Sequence, residues 1–312
     1  MKSMMEGMAD HQARRTEANR TELAKRIADA VRNDGTIEPL KGLHLYRISS
    51  PVGDIHGMSD PAFCVVAQGS KEVLLGESRY RYDPAHYLLT AAELPVVGQV
   101  EGSKKLPYLG MRLQLPPEVV GSVLIESALF PTAGSDERAF NVSPLDADLL
   151  DASVRLLRLL DTPKEARVVA PLIIREIVFR LLLGEQGGRL RQIAALGSST
   201  NRITIALERL RKDFDQPLRI ESLASELGMS PSAFHHHFKS ITALSPMQFQ
   251  KQLRLQEARR LMLSEEFDAA SAGYRVGYVD PSHFSREYKR HFGISPMRDA
   301  IRLRNMTVAS DI

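Results

Sequence analysis

The sequence predicts a multidomain α+β chain: an antiparallel β unit over residues 1–130, a helical connector over 131–198 and an all-α tandem helix-turn-helix unit over 199–312. Three observations predict it. Between about Leu43 and Leu115 apolar residues recur at the two-residue period of strands, broken by short turn signals. From Pro144 to Leu183 the period turns helical and the composition strongly apolar. In the last third one helix-turn-helix pattern is written twice, Leu218 to Met247 matching Phe267 to Met297 with an offset of 49 before the turn and 50 after it.

At the start of the chain, Met1 to Arg15 carries little apolar content and reads as a frayed end. Residues 16–32 read as a helix with Leu23, Ile27, Ala30 and Val31 on one side, ended by Asn33-Asp34-Gly35. Strands are expected from Leu43 to Ile48, Ala62 to Ala67, Glu72 to Leu75, Arg79 to Tyr82, Tyr87 to Thr90, Val96 to Val100 and Tyr108 to Leu115. Gln68-Gly69-Ser70, Leu75-Gly76-Glu77 and Tyr82-Asp83-Pro84 supply turns between them. Many short strands with regular turns argue for a small antiparallel barrel or sandwich.

Pro116-Pro117-Glu118 then opens a helix through Val119, Val120, Val123 and Leu124, and Gly134 to Arg138 reads as an exposed loop. A helix capped by Ser143 is expected from Pro144 to Leu160, and a longer one from Pro163 to Leu183, rich in Val168, Ile173, Ile177, Phe179, Leu181 and Leu182 and broken by Gly184, Gly187 and Gly188. So apolar a pair is buried against the strands, forms a dimer interface, or shares both roles. Gly197-Ser198-Ser199-Thr200 is the expected hinge.

Asn201 to Phe214 opens the last unit as a helix, and Pro217 begins the next element. In the first copy of the repeated pattern Ile220, Leu223, Ala224 and Leu227 share a face, and Gly228 follows, a residue that takes the left-handed turn conformation cheaply. Ser230 and Pro231 cap and start a second helix whose Phe234 and Phe238, four apart, face the first. The second copy repeats this with Ala269, Ala272 and Val276, then Gly277, Asp280 and Pro281, with Phe284 and Tyr288 inward. Each copy closes on a cap and a proline, in Leu244-Ser245-Pro246-Met247 and in Ile294-Ser295-Pro296-Met297. Pro246 to Leu263 reads as one continuous helix, with Phe249, Leu253 and Met262 apolar, spanning roughly 27 Å. Successive major-groove faces on one side of a duplex lie about 34 Å apart, so a rigid helix of this length can hold two recognition helices against one side of DNA.

The composition, 43% hydrophobic and 25% charged over 312 residues, is that of an ordinary soluble protein with room for two cores. The net charge of +3 is unevenly placed: 24 basic against 25 acidic residues in 1–198, and 17 against 13 in 199–312. The positive excess therefore lies on the tandem unit. The single cysteine, Cys64, excludes an intramolecular disulfide and suits a reducing cytoplasm. No apolar run approaches the ~20 residues of a membrane span, Met1 to Arg20 has no signal-peptide core, and the expected location is cytoplasmic.

The phrase Arg275-Val276-Gly277-Tyr278, then Asp280-Pro281-Ser282-His283-Phe284-Ser285-Arg286, through Phe292-Gly293-Ile294-Ser295-Pro296, resembles the second-motif signature of the AraC/XylS family of bacterial transcription regulators. That resemblance covers about Asn201 to Arg302. Over roughly Leu40 to Ala128 the chain also resembles the AraC-type N-terminal domain, a cupin-like antiparallel β-barrel, through Phe63-Cys64-Val65-Val66-Ala67-Gln68-Gly69, Tyr87-Leu88-Leu89-Thr90 and Leu94-Pro95-Val96-Val97-Gly98. Related sequences tend to carry glycine before the Tyr-Leu-Leu phrase, and this one has His86. The resemblance implies a non-enzymatic, sequence-specific regulator that binds double-stranded promoter DNA. Its barrel would act through a small-molecule effector or homodimerisation, and it would contact RNA polymerase.

The outward faces of the two second helices supply the candidate DNA contacts: Ser232, His235, His236 and Lys239 in the first copy, and Ser282, His283, Ser285, Arg286 and Lys289 in the second. Three adjacent helical residues point about 100° apart, so His235-His236-His237 cannot converge on one metal ion; the resemblance places His235 and His236 facing bases and His237 at a core position. The alternative for His235 and His236 is a solvated helix face. Arg286 is ranked as the base reader, because a guanidinium matches guanine O6 and N7 with two parallel hydrogen bonds; the alternatives are a salt bridge with Asp280 or another acid, or a phosphate contact. His44, His56 and His86 lack the spacing of a metal-binding cupin, so no metal and no cofactor is expected. Cys64 is the candidate ligand contact in the barrel, either a thiol that meets an electrophile or an inert buried residue. A cupin-type enzyme fused to a DNA-binding unit would need a metal set or a nucleophile with a base, and the sequence offers neither. A DNA binder with a purely structural barrel is the remaining alternative.

Overall fold

The computed structural model describes residues 2–127, 138–195, 202–264 and 267–302. The chain forms two compact units, Met1–Asn201 and Arg202–Ile312.

In the first unit the chain opens with α1 (Lys2–Ala30) and continues through strands β1 (Gly35–Leu40), β2 (Leu43–Ile48), β3 (Val52–Ser59), β4 (Ala62–Gln68), β5 (Ser70–Leu75), β6 (Ser78–Tyr82), β7 (His86–Thr90), β8 (Leu94–Glu101) and β9 (Tyr108–Gln114). Helix α2 (Pro117–Ser127), strand β10 (Phe140–Pro144) and helices α3 (Ala147–Arg158), α4 (Pro163–Leu183) and α5 (Gly187–Ala195) complete it. The strands form two antiparallel sheets rather than one closed cylinder, a six-stranded sheet in the order β1-β2-β9-β4-β7-β10 and a four-stranded sheet in the order β3-β8-β5-β6.

Alternation along the central strands assigns the two faces of the larger sheet. Phe63, Val65, Leu109, Met111, Leu43 and Leu45 turn to the helices, where they join Leu23 and Ile27 of α1 in one continuous core. Cys64, Arg112 and Tyr46 occupy the intervening positions and so turn to the smaller sheet. Leu149, Val154, Leu157, Ile173, Ile177 and Leu181 belong to the same core, so the helices of the expected connector share it with the strands. A fully buried Leu or Ile contributes about 1.5–3 kcal/mol.

The structure departs from the sequence expectations in five places. Helix α1 begins at Lys2, well before residue 16. Strands β1, β3 and β10 were not expected: β1 and β10 are edge strands and β3 carries Gly53 and Gly57, so each lacks a clean apolar alternation. The helix expected from Pro144 starts at Ala147, because its cap is Asp146, whose carboxylate accepts from the backbone N–H of Asp148 and Leu149; Ser143 instead lies buried in β10, paired with Tyr87. Gly184 does end α4, but Gly187 and Gly188 open α5. His86, which stands where the resemblance expects glycine, begins β7 with its Nδ1 2.8 Å from Asp83 Oδ1. The expected loop at 134–137 and hinge at 197–200 fall outside the described residues.

In the second unit α6 (Arg202–Lys212) is followed by α7 (Ile220–Glu226) and α8 (Pro231–Thr242), the long helix α9 (Pro246–Ser264), then α10 (Ala269–Arg275) and α11 (Pro281–Phe292). Residues 296–302 form a closing helical turn segment.

Candidate nucleic-acid interface

Each helix-turn-helix is fixed by the residues its sequence supplies. In the first, Gly228 takes φ 62° at the turn, and Ser230 Oγ accepts from Ala233 N–H to cap α8. In the second, Asp280 accepts from Ser282 N–H to cap α11, and Gly293 ends that helix at φ 74°. Phe234 and Phe238 are fully buried with ring centroids 5.6 Å apart, and Phe284 and Tyr288 repeat the arrangement at 5.6 Å. With those rings inward, the opposite faces of α8 and α11 must point outward.

The predicted contact residues lie on those faces. Ser232, His235, His236 and Lys239 are exposed on α8, and Ser282, His283, Arg286 and Lys289 are exposed on α11, with Ser285 partly exposed. Arg290, which follows Arg286 at helical spacing, is also exposed and was not singled out from the sequence, although its spacing from Arg286 was signal enough. His237 is half-buried, unlike its two neighbours. The guanidinium of Arg286 is 3.9 Å from the Asp280 carboxylate, with side chains 68% and 57% exposed. An ion pair so long and so open holds an arginine weakly, which leaves Arg286 free to exchange Asp280 for a ligand. His283 sits 4.0 Å from Glu287 and edge-on to the Tyr278 ring at 5.6 Å, so its imidazole faces both the protein and the solvent.

The long helix expected between the two motifs joins them, through contacts that the sequence alone does not signal. Helix α9 starts with a reciprocal capping box, in which Gln248 N–H donates to Ser245 Oγ and Ser245 N–H donates to Gln248 Oε1. Its first half packs on the first motif, Phe249 lying 5.7 Å from Phe238. Its second half contributes Leu255, Ala258, Leu261 and Met262 to the core of the second motif, beside Phe284 and Tyr288. From the middle of α9, Arg254 donates to the carbonyls of Phe214 at 2.7 Å, Asp215 at 3.1 Å, Gln216 at 2.9 Å and Gly277 at 3.1 Å. The first three belong to the segment between α6 and α7, the fourth to the turn of the second motif. Gly277 has φ 88°, and a Cβ there would collide with the Asp215 carbonyl, so glycine is required by conformation and by contact alike.

A second buried cluster secures the far end. Asp299, fully buried, accepts from Arg259 Nε at 2.8 Å, from Arg302 at 3.1 Å and from Tyr288 Oη at 2.9 Å. Tyr278 Oη donates to Glu287 at 2.9 Å, and Lys251 reaches the same carboxylate at 3.4 Å, so the acid within α11 is already occupied. Burial, helped by the Glu287 hydrogen bond, holds the Tyr278 phenol well above its ordinary range.

In the first unit Cys64 is buried, and burial raises its thiol pKa above the usual value. A neutral thiol is a poor nucleophile, which favours the inert reading of Cys64. Among the described residues no group of three or more His, Cys, Asp or Glu side chains could hold a metal ion, and no helix is long and apolar enough to cross a membrane.

Comparisons with known proteins match this division. Residues 39–189 match the family described as AraC-type transcriptional regulator N-terminus, and residues 223–299 match the family described as helix-turn-helix domain. The HTH-type transcriptional activator RhaS of Escherichia coli is 32% identical over 123 residues, which is 39% of this chain and 44% of RhaS, so the match spans less than half the length of that relative. Crystal structures of ToxT from Vibrio cholerae share the fold at 12% identity with TM-score 0.55, covering 83% of this chain and 97% of ToxT. The form of ToxT bound to an unsaturated fatty acid matches with TM-score 0.54 at 14% identity, covering 81% and 92%. With a regulator-type N-terminal region and a tandem helix-turn-helix region matched in the order in which the two units occur, the chain belongs to the AraC/XylS family of transcription regulators.

Proposed function

We propose that this chain is a non-enzymatic, sequence-specific regulator of transcription that reads two successive major-groove faces of promoter DNA with α8 and α11. The observation that carries the reading is the rigid pairing of two outward faces bearing Lys239, Arg286, Lys289 and Arg290 on one helix, α9, pinned by Arg254. Arg286 and the exposed histidines His235, His236 and His283 are the base-reading candidates, and the lysines hold phosphate. Fluorescence anisotropy of the full chain on the intergenic DNA next to its own gene, against random duplex, tests this at several salt concentrations. Tight, salt-steep binding that exceeds the random duplex by a factor of at least about 10³ is expected. Equal binding to both duplexes would overturn sequence-specific reading.

In the same proposal the N-terminal unit controls presentation of that surface, through a small molecule, through dimerisation, or through both, and the regulator acts in the cytoplasm by contact with RNA polymerase. The fatty acid held by ToxT supports a ligand-binding role for this fold. Dimerisation is favoured by Val168, Leu172, Phe179 and Leu183 of α4, which fall on one exposed helical face at spacings of 4, 7 and 4. Leu172→Glu with Phe179→Glu should convert a dimer to a monomer in analytical ultracentrifugation, and a wild-type monomer at micromolar concentration would remove this role.

A further inference from the structure

The face of the six-stranded sheet that turns away from the helices carries charge where a sandwich interior usually carries none. Arg112 of β9 lies there, beside Cys64 on β4 and close to Tyr46 of β2. From the other sheet, Lys71 of β5 crosses the gap and sets its ammonium 5.8 Å from the centroid of the Tyr46 ring. Tyr82 and Tyr108, both buried and close enough to influence one another, complete the group.

The charges in this group do not cancel. Arg112 is paired with Asp60 at 2.7 Å, and Asp60 spends its other contact on Gln114. Lys71 has no carboxylate partner among the described residues and no hydrogen-bond acceptor, only the face of Tyr46. Burial, together with the nearby Arg112 guanidinium, pulls the Lys71 ammonium below the ordinary lysine range. Desolvating an ammonium costs several kcal/mol unless a counter-charge is supplied, so a lysine kept here for stability alone would be a poor choice. As whole residues Lys71, Tyr46 and Arg112 are each partly exposed. Next to the cations the lining is apolar: Val73 lies two residues along the same face of β5, Val100 stands directly opposite Lys71 in the ladder, and Val66 is buried two residues from Cys64. Burial keeps the Tyr82 and Tyr108 phenols protonated, hence able to donate.

We infer that the space between the two sheets binds a small organic monoanion, its carboxylate received by Lys71 and Arg112 and its apolar body lying on the valines. This deepens the proposal that the N-terminal unit binds a small molecule and rests on it. One uncompensated cation, flanked by a second whose charge is already matched, selects a single negative charge. An inorganic dianion would lose more hydration than the site can replace, and a neutral compound would leave Lys71 unpaired.

The test uses the full chain in thermal-shift titrations with sodium octanoate and sodium benzoate, against octanamide and benzamide, and against sodium phosphate at matched ionic strength. At a tenfold excess over its dissociation constant a bound carboxylate should raise the Tm of a unit of this size by roughly 3–6 °C. The amides and phosphate should leave it unchanged. Lys71→Met should abolish the carboxylate shift while leaving the unliganded Tm equal or higher, because it removes a largely desolvated charge that no described residue balances. Equal shifts with amides and carboxylates would overturn the anion assignment and leave small-molecule binding standing; no shift with either series would overturn both. A Lys71→Met protein that melts several degrees lower without ligand would show the lysine to be structural, and the assignment would also fall.

Discussion

Replacing Arg254 with methionine, which keeps most of the stem and removes the guanidinium, should uncouple the two helix-turn-helix motifs. Four backbone carbonyls lose a charged donor at 2.7–3.1 Å, three on the segment that precedes α7 and one at the turn before α11. Hydrogen bonds to charged groups contribute about 1.5–3 kcal/mol each in isolation, but these carbonyls are partly reachable by water and the four bonds share one side chain. A net loss of about 2–3 kcal/mol is expected, which for a unit of roughly 100 residues lowers Tm by about 10–20 °C. The larger consequence is for binding. Two sites on a rigid body gain an avidity of about 10²–10⁴ over one, and lose it when their spacing is free to vary. In electrophoretic mobility assays Arg254→Met should therefore lose at least tenfold in affinity on DNA carrying both half-sites, measured below the Tm of the variant, and little on DNA carrying one. Gly277→Ala, which forces the same segment away from the turn, should behave alike. Equal losses on both duplexes would refute the coupling role of Arg254 and reduce it to general stability.

Arg286→Ala should cost about 1–3 kcal/mol on the specific site, little on random duplex, and relax preference at one guanine; an equal loss on both would make Arg286 a phosphate contact. Asp299→Asn should destabilise the second unit by about 3–5 kcal/mol in urea unfolding, since it leaves the mostly buried Arg259 without its counter-charge, and a loss under about 1 kcal/mol would contradict that account. Glu22 of α1 bridges Arg158 and Arg26, and those hydrogen bonds bring its carboxyl down from 4.5 to about 2. A depressed carboxylate stabilises the fold above its unfolded value and loses that contribution as pH falls through the folded one. Glu22→Gln should thus lower Tm at pH 7, with the gap to wild type closing between about pH 4.5 and 2; a gap independent of pH would exclude the ion pairs as its source.

What could be read from the sequence follows the range of the forces involved. Gly228, Ser230, Pro231, Asp280 and Pro281 act within a few residues of themselves, and the structure puts each at the turn or cap expected of it. The central strands β2, β4, β7 and β9 were visible because both of their faces are constrained, and alternation or unbroken apolarity survives in the residues. Edge strands such as β1 carry no such constraint: its burial is slight and Pro39 interrupts it, so only the hydrogen bonds to β2 make it a strand. The cap of α3 was misplaced because Ser143 and Asp146 are both good caps, and what decides between them is the pairing of Ser143 with Tyr87, a partner 56 positions away.

The interface divides along the same line. That Arg286 leaves the face opposite Phe284 and Tyr288 is a matter of helical angle, legible without coordinates. Arg254 is another case: on a helix with polar residues on every side it looks like any exposed arginine, and its role comes from carbonyls 23 to 40 residues distant. Backbone acceptors carry no side-chain signature, so a clamp that uses only carbonyls leaves no mark in composition, period or spacing. Lys71 is hidden for a related reason. Its alternation with Val73 is that of any half-exposed strand, and what sets it apart is that no carboxylate among the described residues pairs with it, a negative feature that only the register of β4, β9 and β2 can reveal. The residues that hold the DNA-binding unit in shape, and those assigned to an effector, are thus the ones whose partners lie far away in sequence or are not found among the described residues.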